Sequence, residues 1–398
     1  MQDTFIIDGI RTAIGSFRGT LSAVRTDDLG AHVIKALMER YPDLDPALID
    51  DVIMGCANQA GEDNRNVARM ALLLAGLPYT VPGETVNRLC ASGMSAVIHA
   101  HRAIQAGDGD LFISGGVENM TRGPWVMSKS SQPFGSDAEM YDSSFGWRFI
   151  NPKMKALYGT DAMGETAENL ASMYSIPRAD QDQFALWSQQ KAAASADILA
   201  QDIAPVLLPR KKQDPLVFAA DEFVKGNSTI EGLAGLKPAF RDGGTVTAGN
   251  SSGLNDGAAA LLISSDFGVR HNNLTPIARI VSSAVVGVEP RIMGIGPVVA
   301  SQRALKKAGL QLDEIDVIEI NEAFAAQVLA CTRALGLEAT DDRINVCGGA
   351  IALGHPLGMS GARIILNAAR TLQRTEKRYA LATMCIGVGQ GYAVVIGR

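Results

Sequence analysis

The sequence predicts an α/β protein made of two copies of one unit, with an insertion between them. Gly93-Met94-Ser95 returns 265 positions later (358 − 93) as Gly358-Met359-Ser360, and Asp51-Val52-Ile53 returns at the same offset as Asp316-Val317-Ile318. Strand-like and helix-like runs alternate in both copies, which is typical of helices packed on a largely parallel sheet or on one that is mixed at its edge. Because a solenoid needs at least about three short repeats, two long copies indicate two fused αβ halves.

The elements of the first half follow from short apolar runs and helix-start signals. Residues 5–7 and 51–55 are predicted strands, and residues 27–38 are a predicted helix because two aspartates open its first turn. A second helix is predicted over 94–106 after a Ser-Gly pair, and a strand over 110–116 that ends in glycines. This half is predicted to span residues 1–121, completed by about 253–274.

The second half repeats the alternation over residues 275–398. Strands are predicted at 317–320, 379–384 and 392–396, and a helix at 362–372. Between the halves, residues 122–252 break the pattern and contain all three tryptophans, a predicted helix at 179–194 and the basic cluster Arg210-Lys211-Lys212. We interpret 122–252 as an inserted loop domain, and we expect substrate contacts there because insertions on rigid scaffolds often carry them.

Composition excludes several classes of protein. The net charge of −6 gives no indication of nucleic-acid binding, and no apolar run approaches the roughly 20 residues of a membrane span. The acidic N-terminus does not resemble a signal peptide. Five widely spaced cysteines without a CxxC pair argue against a disulfide framework and against a zinc site. We therefore expect a cytoplasmic protein without a metal.

A thiol and an imidazole occupy equivalent points of the repeat. The shared offset places Cys90 opposite His355, each shortly before a predicted helix. Unpaired N–H groups at a helix N-terminus lower the pKa of a thiol and favour a nucleophilic thiolate. The alternatives are ordinary: Cys90 as a small buried apolar side chain, and His355 as a satisfied histidine in a glycine-rich loop.

Two further positions are candidates for chemistry. Cys385 opens Cys385-Ile386-Gly387-Val388-Gly389-Gln390-Gly391, a poor dinucleotide fingerprint because a strand follows where a helix is required. It is either a plain hairpin turn or a turn that presents a second thiol beside N–H groups able to hold an oxyanion. Asn321 follows a buried strand, where α/β sheets usually place their sites, and it is equally suited to cap a helix.

Together these segments resemble the thiolases, the acyl-CoA:acetyl-CoA C-acyltransferases. The resemblance covers the whole chain and is carried by four blocks and a CoA-associated turn: Asn87-Arg88-Leu89-Cys90-Ala91-Ser92-Gly93, Asn321-Glu322-Ala323-Phe324, the stretch 348–358, the stretch 385–391, and the turn 245–253. It implies the thiolase fold, with two βαβαβαββ halves in five α-β-α-β-α layers and an inserted loop domain.

The resemblance also implies a division of roles. Cys90 is the acylated nucleophile, and His355 takes its proton and later contributes to one oxyanion hole. Asn321 orients a water that completes that hole. Cys385 is the second acid/base and moves the proton at Cα of acetyl-CoA, while the N–H groups of Cys90 and Gly387 form the other oxyanion hole.

Coenzyme A and acetyl-CoA are implied as substrates, with no tightly bound cofactor and no metal. The implied contacts to CoA are Met163, Lys225, Phe240, Ala248, Ser252 and Phe324. The family assembles as dimers or tetramers, so a homo-oligomer is expected, without nucleic-acid or membrane partners. Three positions depart from the common pattern: Ala162 replaces a histidine on the pantetheine side, Lys225 replaces an arginine, and Cys347 replaces an asparagine, which adds a third thiol near the site.

Two segments, 55–69 and 146–152, look closest to bacterial 3-oxoadipyl-CoA (β-ketoadipyl-CoA) thiolases. Their substrate ends in a carboxylate, which needs a cationic or multi-donor partner when buried. Arg148 is the first candidate for that partner and Arg122 the second, although either could be a surface or interface arginine. The alternative activities are that of an acetyl-CoA acetyltransferase acting on acetoacetyl-CoA and, in another class, non-catalytic acyl-CoA binding, which would be expected to have lost a catalytic residue.

Overall fold

The computed structural model describes residues 2–398, in which helices and strands alternate as predicted. The strands are β1 (Thr4–Arg11), β2 (Gly15–Ser16), β3 (Asp51–Gly55), β4 (Gly83–Val86), β5 (Leu111–Asn119), β6 (Trp125–Met127), β7 (Met140–Asp142), β8 (Val206–Arg210), β9 (Gln213–Phe218), β10 (Asn255–Ser265), β11 (Ala278–Gly287), β12 (Val317–Ile320), β13 (Tyr379–Ile386) and β14 (Gln390–Gly397).

The helices include two long ones at equivalent places of the repeat, α3 and α13. They are α1 (Thr26–Glu39), α2 (Val67–Leu74), α3 (Ser92–Ala106), α4 (Pro152–Tyr158), α5 (Met163–Met173), α6 (Arg178–Ala194), α7 (Ala196–Ala200), α8 (Ile230–Ala234), α9 (Asp266–His271), α10 (Gly296–Ala308), α11 (Ala325–Leu335), α12 (Ala350–Leu353) and α13 (Leu357–Thr375). None of the helices in residues 2–398 has the length and apolar character needed to cross a membrane.

The strands of both halves join in one ladder, ordered β12-β13-β14-β11-β1-β10-β5-β3-β4, with β2 added beside β10. The halves meet where β1 and β11 pair antiparallel through only two residue pairs, Phe5 with Arg279 and Ile6 with Ala278. Moving outward from this point, β10, β5 and β3 correspond to β14, β13 and β12. The order of strands therefore repeats about a pseudo-twofold axis.

The prediction of a largely parallel sheet is wrong for the strands nearest this axis. Only the outer pairs are parallel, namely β3 with β4 and β5, and β12 with β13. The neighbours β1, β10 and β5 are antiparallel, as are β11, β14 and β13. For β13 and β14 the reason is local, because only three residues join them and a parallel pair needs a long crossover.

Helices α3 and α13 pack against each other in the middle layer, between the two halves of the sheet. Their side chains form the central core with both sheet halves, and Met94 and Met359 are completely buried in it. Helices α1 and α2 cover the outer face of the first half, and α10 and α11 cover that of the second. The molecule therefore has five layers, α-β-α-β-α.

Residues between β5 and β10 form short hairpins and helices outside these layers. Strands β6 and β7 pair as one hairpin and β8 and β9 as another. Helix α5 packs on α11 and on a 3-10 turn at Pro290–Ile295 of the second half. The first hairpin is unusually apolar for a surface element, since Trp125, Met127 and Met140 are all more than half exposed.

Candidate active site

The two repeated segments meet at the N-termini of the central helices. Cys90 lies in a 3-10 turn, Leu89–Ala91, immediately before α3, and His355 lies two residues before α13. The helices approach so closely here that a Cβ atom on Gly93 would collide with the carbonyl oxygen of Gly358. Gly93 is therefore required by the close approach of the thiol loop and the imidazole loop, whereas a Cβ atom on Gly358 would collide with the carbonyl oxygens of Val117 and Gly55 in the sheet.

Local hydrogen bonds hold the turn that carries Cys90. The Asn87 side chain accepts from the N–H of Leu89 at 2.9 Å, and Leu89 adopts a left-handed φ of 48°. The Ser92 hydroxyl accepts from the N–H of Arg88 at 2.9 Å and donates to the carbonyl of Leu89 at 2.7 Å. The position of Cys90 is thus fixed by short-range contacts on both sides.

The expectation of a lowered pKa for Cys90 is not supported by the structure. Burial raises the pKa of the Cys90 thiol, and the N–H of Gly387, which donates to its sulfur, only partly offsets this. The positive end of α3 is present, as predicted, but desolvation of the thiolate has the larger effect. At rest Cys90 is therefore a thiol, and it would need a base to act as a nucleophile.

Cys385 is the second thiol at this point. It lies near the end of β13 and is buried. Burial raises its pKa well above the ordinary value, and the nearby thiols of Cys90 and Cys331 raise it further. The backbone N–H of Gly387, two residues after Cys385, donates to the Cys90 sulfur. The two thiols therefore lie in one small region, beside the same backbone N–H.

The turn after Cys385 is a hairpin between β13 and β14, as one of the two sequence interpretations stated. Val388 has a φ of 63° and Gly389 a φ of 80°. A β-branched residue in the left-handed region is an outlier that costs free energy. Such strain is typical of functional turns, and here it accompanies the turn that presents the Gly387 N–H to Cys90.

His355 is held by hydrogen bonds that determine its tautomer. Its Nδ1 lies 2.6 Å from the Ser360 hydroxyl, and that hydroxyl also lies 2.9 Å from the carbonyl of Pro356. A carbonyl can only accept, so the hydroxyl proton is donated to Pro356 and the hydroxyl oxygen accepts from Nδ1–H. Nε2 therefore carries the lone pair and is available as a base.

The imidazole is neutral at rest. Burial lowers the pKa of His355 to about 3, and the positive charge of Arg363 contributes to the lowering. The thiol pKa values are raised and the imidazole pKa is lowered, so the resting pair is neutral thiol and neutral imidazole. Charge separation then occurs only when the thiol attacks, which is the arrangement expected of an acid/base-assisted nucleophile.

Asn321 faces the same imidazole. Its Nδ2 lies 3.4 Å from Nε2 of His355, and its Oδ1 is buried without a hydrogen-bond partner among residues 2–398. Helix α11 begins later, after Phe324, so the helix-cap alternative for Asn321 is excluded. An unpaired buried amide oxygen beside a base is suited to hold a polar group of a ligand or a water.

Four of the six residues expected to contact CoA form a continuous set. The rings of Phe240 and Phe324 pack edge to face, with centroids 6.0 Å apart. Ser252 donates through its N–H to the carbonyl of Ala323 at 3.0 Å. Met163 faces the hairpin turn 387–389, because a Cβ atom on Gly387 would lie 3.7 Å from its sulfur.

The other two residues, Lys225 and Ala248, are exposed and are not hydrogen-bonded to this set within the described chain. The ammonium of Lys225 lies over the ring of Phe223, 5.2 Å from its centroid. The exposed ammonium of Lys225 is suited to the charged outer end of CoA. The expected CoA contacts of Lys225 and Ala248 stay predictions.

The remaining sequence candidates have other contacts. Arg122 is engaged by the carboxylate of Glu62 and donates to the carbonyl of Ser22 at 3.0 Å. Arg148 donates to the carbonyl of Ser143 at 3.2 Å. The Cys347 sulfur lies 3.7 Å from Nη2 of Arg374. The third thiol near Cys90 and Cys385 is instead Cys331, which raises the pKa of Cys385.

Sequence reasoning missed three residues that hold the site. Ser360 fixes the His355 ring, and Asn255 accepts from the N–H of His355 at 2.9 Å. Ser360 lies within the repeated Gly-Met-Ser, so the repeat itself contained the signal. The buried carboxylate of Glu118 accepts from the N–H of Gly358 at 2.9 Å, a contact across 240 residues that no local pattern indicates.

Comparison with known proteins gives a consistent result over the full length. The model of the thiolase N-terminal domain matches residues 4–266, and that of the thiolase C-terminal domain matches residues 274–398. The chain is 57% identical to the 3-oxoadipyl-CoA/3-oxo-5,6-dehydrosuberyl-CoA thiolase of Escherichia coli strain K12, over 100% of both chains. It is 56% identical to a β-ketoadipyl-CoA thiolase of Acinetobacter baylyi, also over 100% of both.

Solved structures agree with the sequence matches. The acetyl-CoA acetyltransferase of Bacillus anthracis superposes with a TM-score of 0.92 at 38% identity, over 100% of this chain and 99% of that one. The predicted fold class, with its two related halves, is confirmed. The two family models match nearly the whole chain, and full-length relatives at 56–57% identity are similar enough to share its family. The chain therefore belongs to the thiolase family.

Proposed function

We propose that this protein cleaves a 3-oxoacyl-CoA with a second CoA, by ping-pong catalysis through an acyl group on Cys90, and that it runs reversibly as a Claisen condensation. The observation that carries the proposal is a pair of thiols, the partly buried Cys90 and the buried Cys385, beside the N–H of Gly387. Simple acyl transfer requires one thiol. Cleavage of a carbon–carbon bond additionally requires a proton donor for the carbon that leaves.

In the first half-reaction, Nε2 of His355 takes the proton of Cys90 and the thiolate attacks the C3 ketone. The resulting oxyanion collapses, the C2–C3 bond breaks, and the acyl group stays on Cys90 as a thioester. The electron pair leaves on the acetyl-CoA enolate, whose oxygen is held in the hole that His355 and an Asn321-bound water complete. Cys385 then protonates C2. Oxyanion donors of this kind contribute about 2.7–4 kcal/mol each.

In the second half-reaction, CoA replaces acetyl-CoA. The Cys385 thiolate takes the proton of the CoA thiol, and the CoA sulfur attacks the thioester carbonyl. The N–H groups of Cys90 and Gly387 stabilise the second tetrahedral oxyanion. Its collapse releases Cys90 as a thiolate, which recovers its proton from the imidazolium of His355, so every group returns to its starting state. CoA thioesters are the only partners this chemistry needs.

The proposed substrate is 3-oxoadipyl-CoA, which would give succinyl-CoA and acetyl-CoA. Support comes from full-length relatives at 56–57% identity that are named for this substrate. The second candidate is acetoacetyl-CoA, because the chain is also 49% identical to an acetyl-CoA acetyltransferase of Escherichia coli strain K12. Arg148 stays a proposed partner for the substrate carboxylate, and its single hydrogen bond leaves most of its donors unused.

Steady-state thiolysis of three substrates tests the choice. The purified protein is assayed with 3-oxoadipyl-CoA, acetoacetyl-CoA and a longer 3-oxoacyl-CoA, and kcat/KM values are compared. The proposal requires the highest value for 3-oxoadipyl-CoA. A higher value for acetoacetyl-CoA selects the acetyltransferase alternative. Absence of thiolysis with every substrate, together with no acylation of Cys90, supports non-catalytic acyl-CoA binding.

Replacement of Ser360 by alanine is expected to lower kcat by about tenfold or more, because the hydroxyl fixes the protonated Nδ1 of His355. Without it, the imidazole can turn or shift its proton to Nε2, which removes the base. Steady-state kinetics measure the effect, and Ser360→Thr, which keeps the hydroxyl, should recover part of the rate. An unchanged kcat in Ser360→Ala would show that the tautomer is held by other contacts.

We further propose that the protein is a cytoplasmic homodimer or homotetramer. The exposed apolar hairpin β6–β7, with Trp125, Met127 and Met140, supports self-association, because soluble monomers rarely expose such a patch. Light scattering of the purified protein measures the mass directly, and a monomer at micromolar concentration would contradict the proposal.

A further inference from the structure

A cleft opens beside residues 387–389, the catalytic turn of the proposed mechanism. It contains one arginine to which neither the sequence nor the family resemblance assigned a role. Val388 of the turn and Met163, which faces Gly387, form one wall. Trp147, Tyr158 and Pro290 add further apolar surface, and Asp161 and Arg291 supply the charges. Arg148 and Arg122, the two arginines proposed from the sequence, are not among the lining residues.

Arg291 is held in position and keeps free donors. Its Nε donates to Asp161 at 2.9 Å, and Asn169 donates to the same carboxylate oxygen at 3.1 Å and to the carbonyl of Arg291 at 3.0 Å. Within residues 2–398, no hydrogen bond uses the two Nη atoms, and about half of the side chain is exposed. The outer edge of the guanidinium is therefore available for a carboxylate, in the two-bond geometry that arginine favours.

The cleft begins at Val388, the residue after the one whose N–H faces the Cys90 sulfur. Three carbon–carbon bonds and one carbon–sulfur bond place the carboxylate carbon of a succinyl group about 5 Å from the Cys90 sulfur when extended. The N–H of Gly387 contacts that sulfur, and the next residue, Val388, lies in the cleft wall. We expect a succinyl group on Cys90 to extend past Gly387 toward Met163 and Val388, with its carboxylate at the mouth of the cleft.

Asp161 does not cancel this attraction. Its carboxylate is shared with the Asn169 amide and bound at the Nε side of the guanidinium, so a ligand carboxylate would meet the opposite edge. Arginine retains four N–H donors on its Nη atoms when Nε is occupied. The ion pair therefore orients Arg291, and a partly desolvated carboxylate in the cleft would gain charge-assisted hydrogen bonds that a methyl group cannot form.

We propose that Arg291 and its cleft are the subsite for the terminal carboxylate of the acyl group, and that this subsite determines the preference for dicarboxylic 3-oxoacyl-CoA substrates. The inference rests on the proposed function, since it refines the substrate class of the same site. The competing explanation is structural: Arg291 also ties α5 of the insertion to the turn Pro290–Ile295 of the second half.

A matched pair of substrates separates these explanations. 3-Oxoadipyl-CoA and 3-oxohexanoyl-CoA have acyl chains of equal length and differ only in a terminal carboxylate or methyl group. In Arg291→Gln, kcat/KM for 3-oxoadipyl-CoA should fall by about tenfold to a hundredfold, with less than about a threefold change for 3-oxohexanoyl-CoA. Arg291→Lys keeps the positive charge but loses the two-bond geometry of the guanidinium, so it should retain an intermediate preference for 3-oxoadipyl-CoA. The same variant tests the subsite if Arg291→Gln does not fold.

The control is Arg241→Gln, which removes an ion pair with Glu165 and a hydrogen bond to the same Asn169 but lies outside the cleft lining. The ratio of the two kcat/KM values should be unchanged in it. An equal loss on both substrates in Arg291→Gln would overturn the subsite. If Arg148→Ala collapses the ratio and Arg291→Gln preserves it, Arg148 is the carboxylate partner instead.

The failure of the subsite and that of the proposed function are distinguishable. If the wild-type protein prefers 3-oxoadipyl-CoA and Arg291→Gln keeps that preference, only the subsite is refuted. If the wild-type protein shows no preference for the carboxylate substrate, the proposed substrate and the subsite are both refuted.

Discussion

Replacement of Cys90 by alanine is expected to reduce kcat for thiolysis by roughly 10⁴-fold or more, the scale seen when a catalytic nucleophile is removed. In the proposed mechanism, Cys90 is the residue that forms the thioester intermediate. Cys385 lies nearby, but burial keeps its pKa well above the ordinary value, so it is a poor thiolate. The loss should therefore appear in both half-reactions.

Two measurements check this expectation. Steady-state assays give kcat, and mass spectrometry of the protein quenched with an acyl-CoA donor shows whether an acyl group is attached. Cys347→Ala is the matched control, because it removes a buried thiol that bonds Arg374 and not the catalytic turn. Acylation of the Cys90→Ala protein at the wild-type rate would identify another residue as the nucleophile.

The sequence correctly predicted that Cys90 lies at a helix N-terminus, but it predicted the wrong direction for the shift in its pKa. The repeat and the Gly-Met-Ser segments indicate that two helix N-termini carry a thiol and an imidazole, and the structure brings these N-termini together. The direction of the pKa shift depends instead on how much of the surrounding protein excludes water. Burial is a property of the five assembled layers, so the helix terminus alone gave the wrong sign for Cys90.

A similar limit applies to residues that act across long separations in the chain. Asn321 is detectable because it follows a strand and belongs to a recognisable block. Arg291 lies in a 3-10 turn with no motif, and its guanidinium is held by Asp161, which lies 130 residues away in the chain. Local patterns also could not predict the antiparallel centre of the sheet, because the pairing of β1 with β10 joins segments about 250 residues apart.

Replacement of Cys385 by alanine is expected to separate carbon–carbon cleavage from acyl transfer. Thiolysis should fall by about 10²- to 10⁴-fold, the usual range for loss of a general acid/base, because nothing else lies ready to protonate C2 of the enolate. Acylation of Cys90 by acetyl-CoA should fall far less. That step needs the Cys90 thiol, the His355 base and the Gly387 N–H, and CoA can leave as a thiolate without a proton from Cys385.

Two readouts separate proton transfer from a merely structural role of Cys385. Trapped acetyl-enzyme measures acylation. Exchange of the C2 hydrogens of acetyl-CoA in deuterated water measures proton transfer at carbon and should disappear in Cys385→Ala while acylation persists. Cys331→Ala is the control, since Cys331 is a buried neighbour that bonds the carbonyl of Gly294 at 3.2 Å, and it should keep both. Equal losses of acylation and exchange in Cys385→Ala would mean that this thiol supports the shape of the turn and does not move the proton.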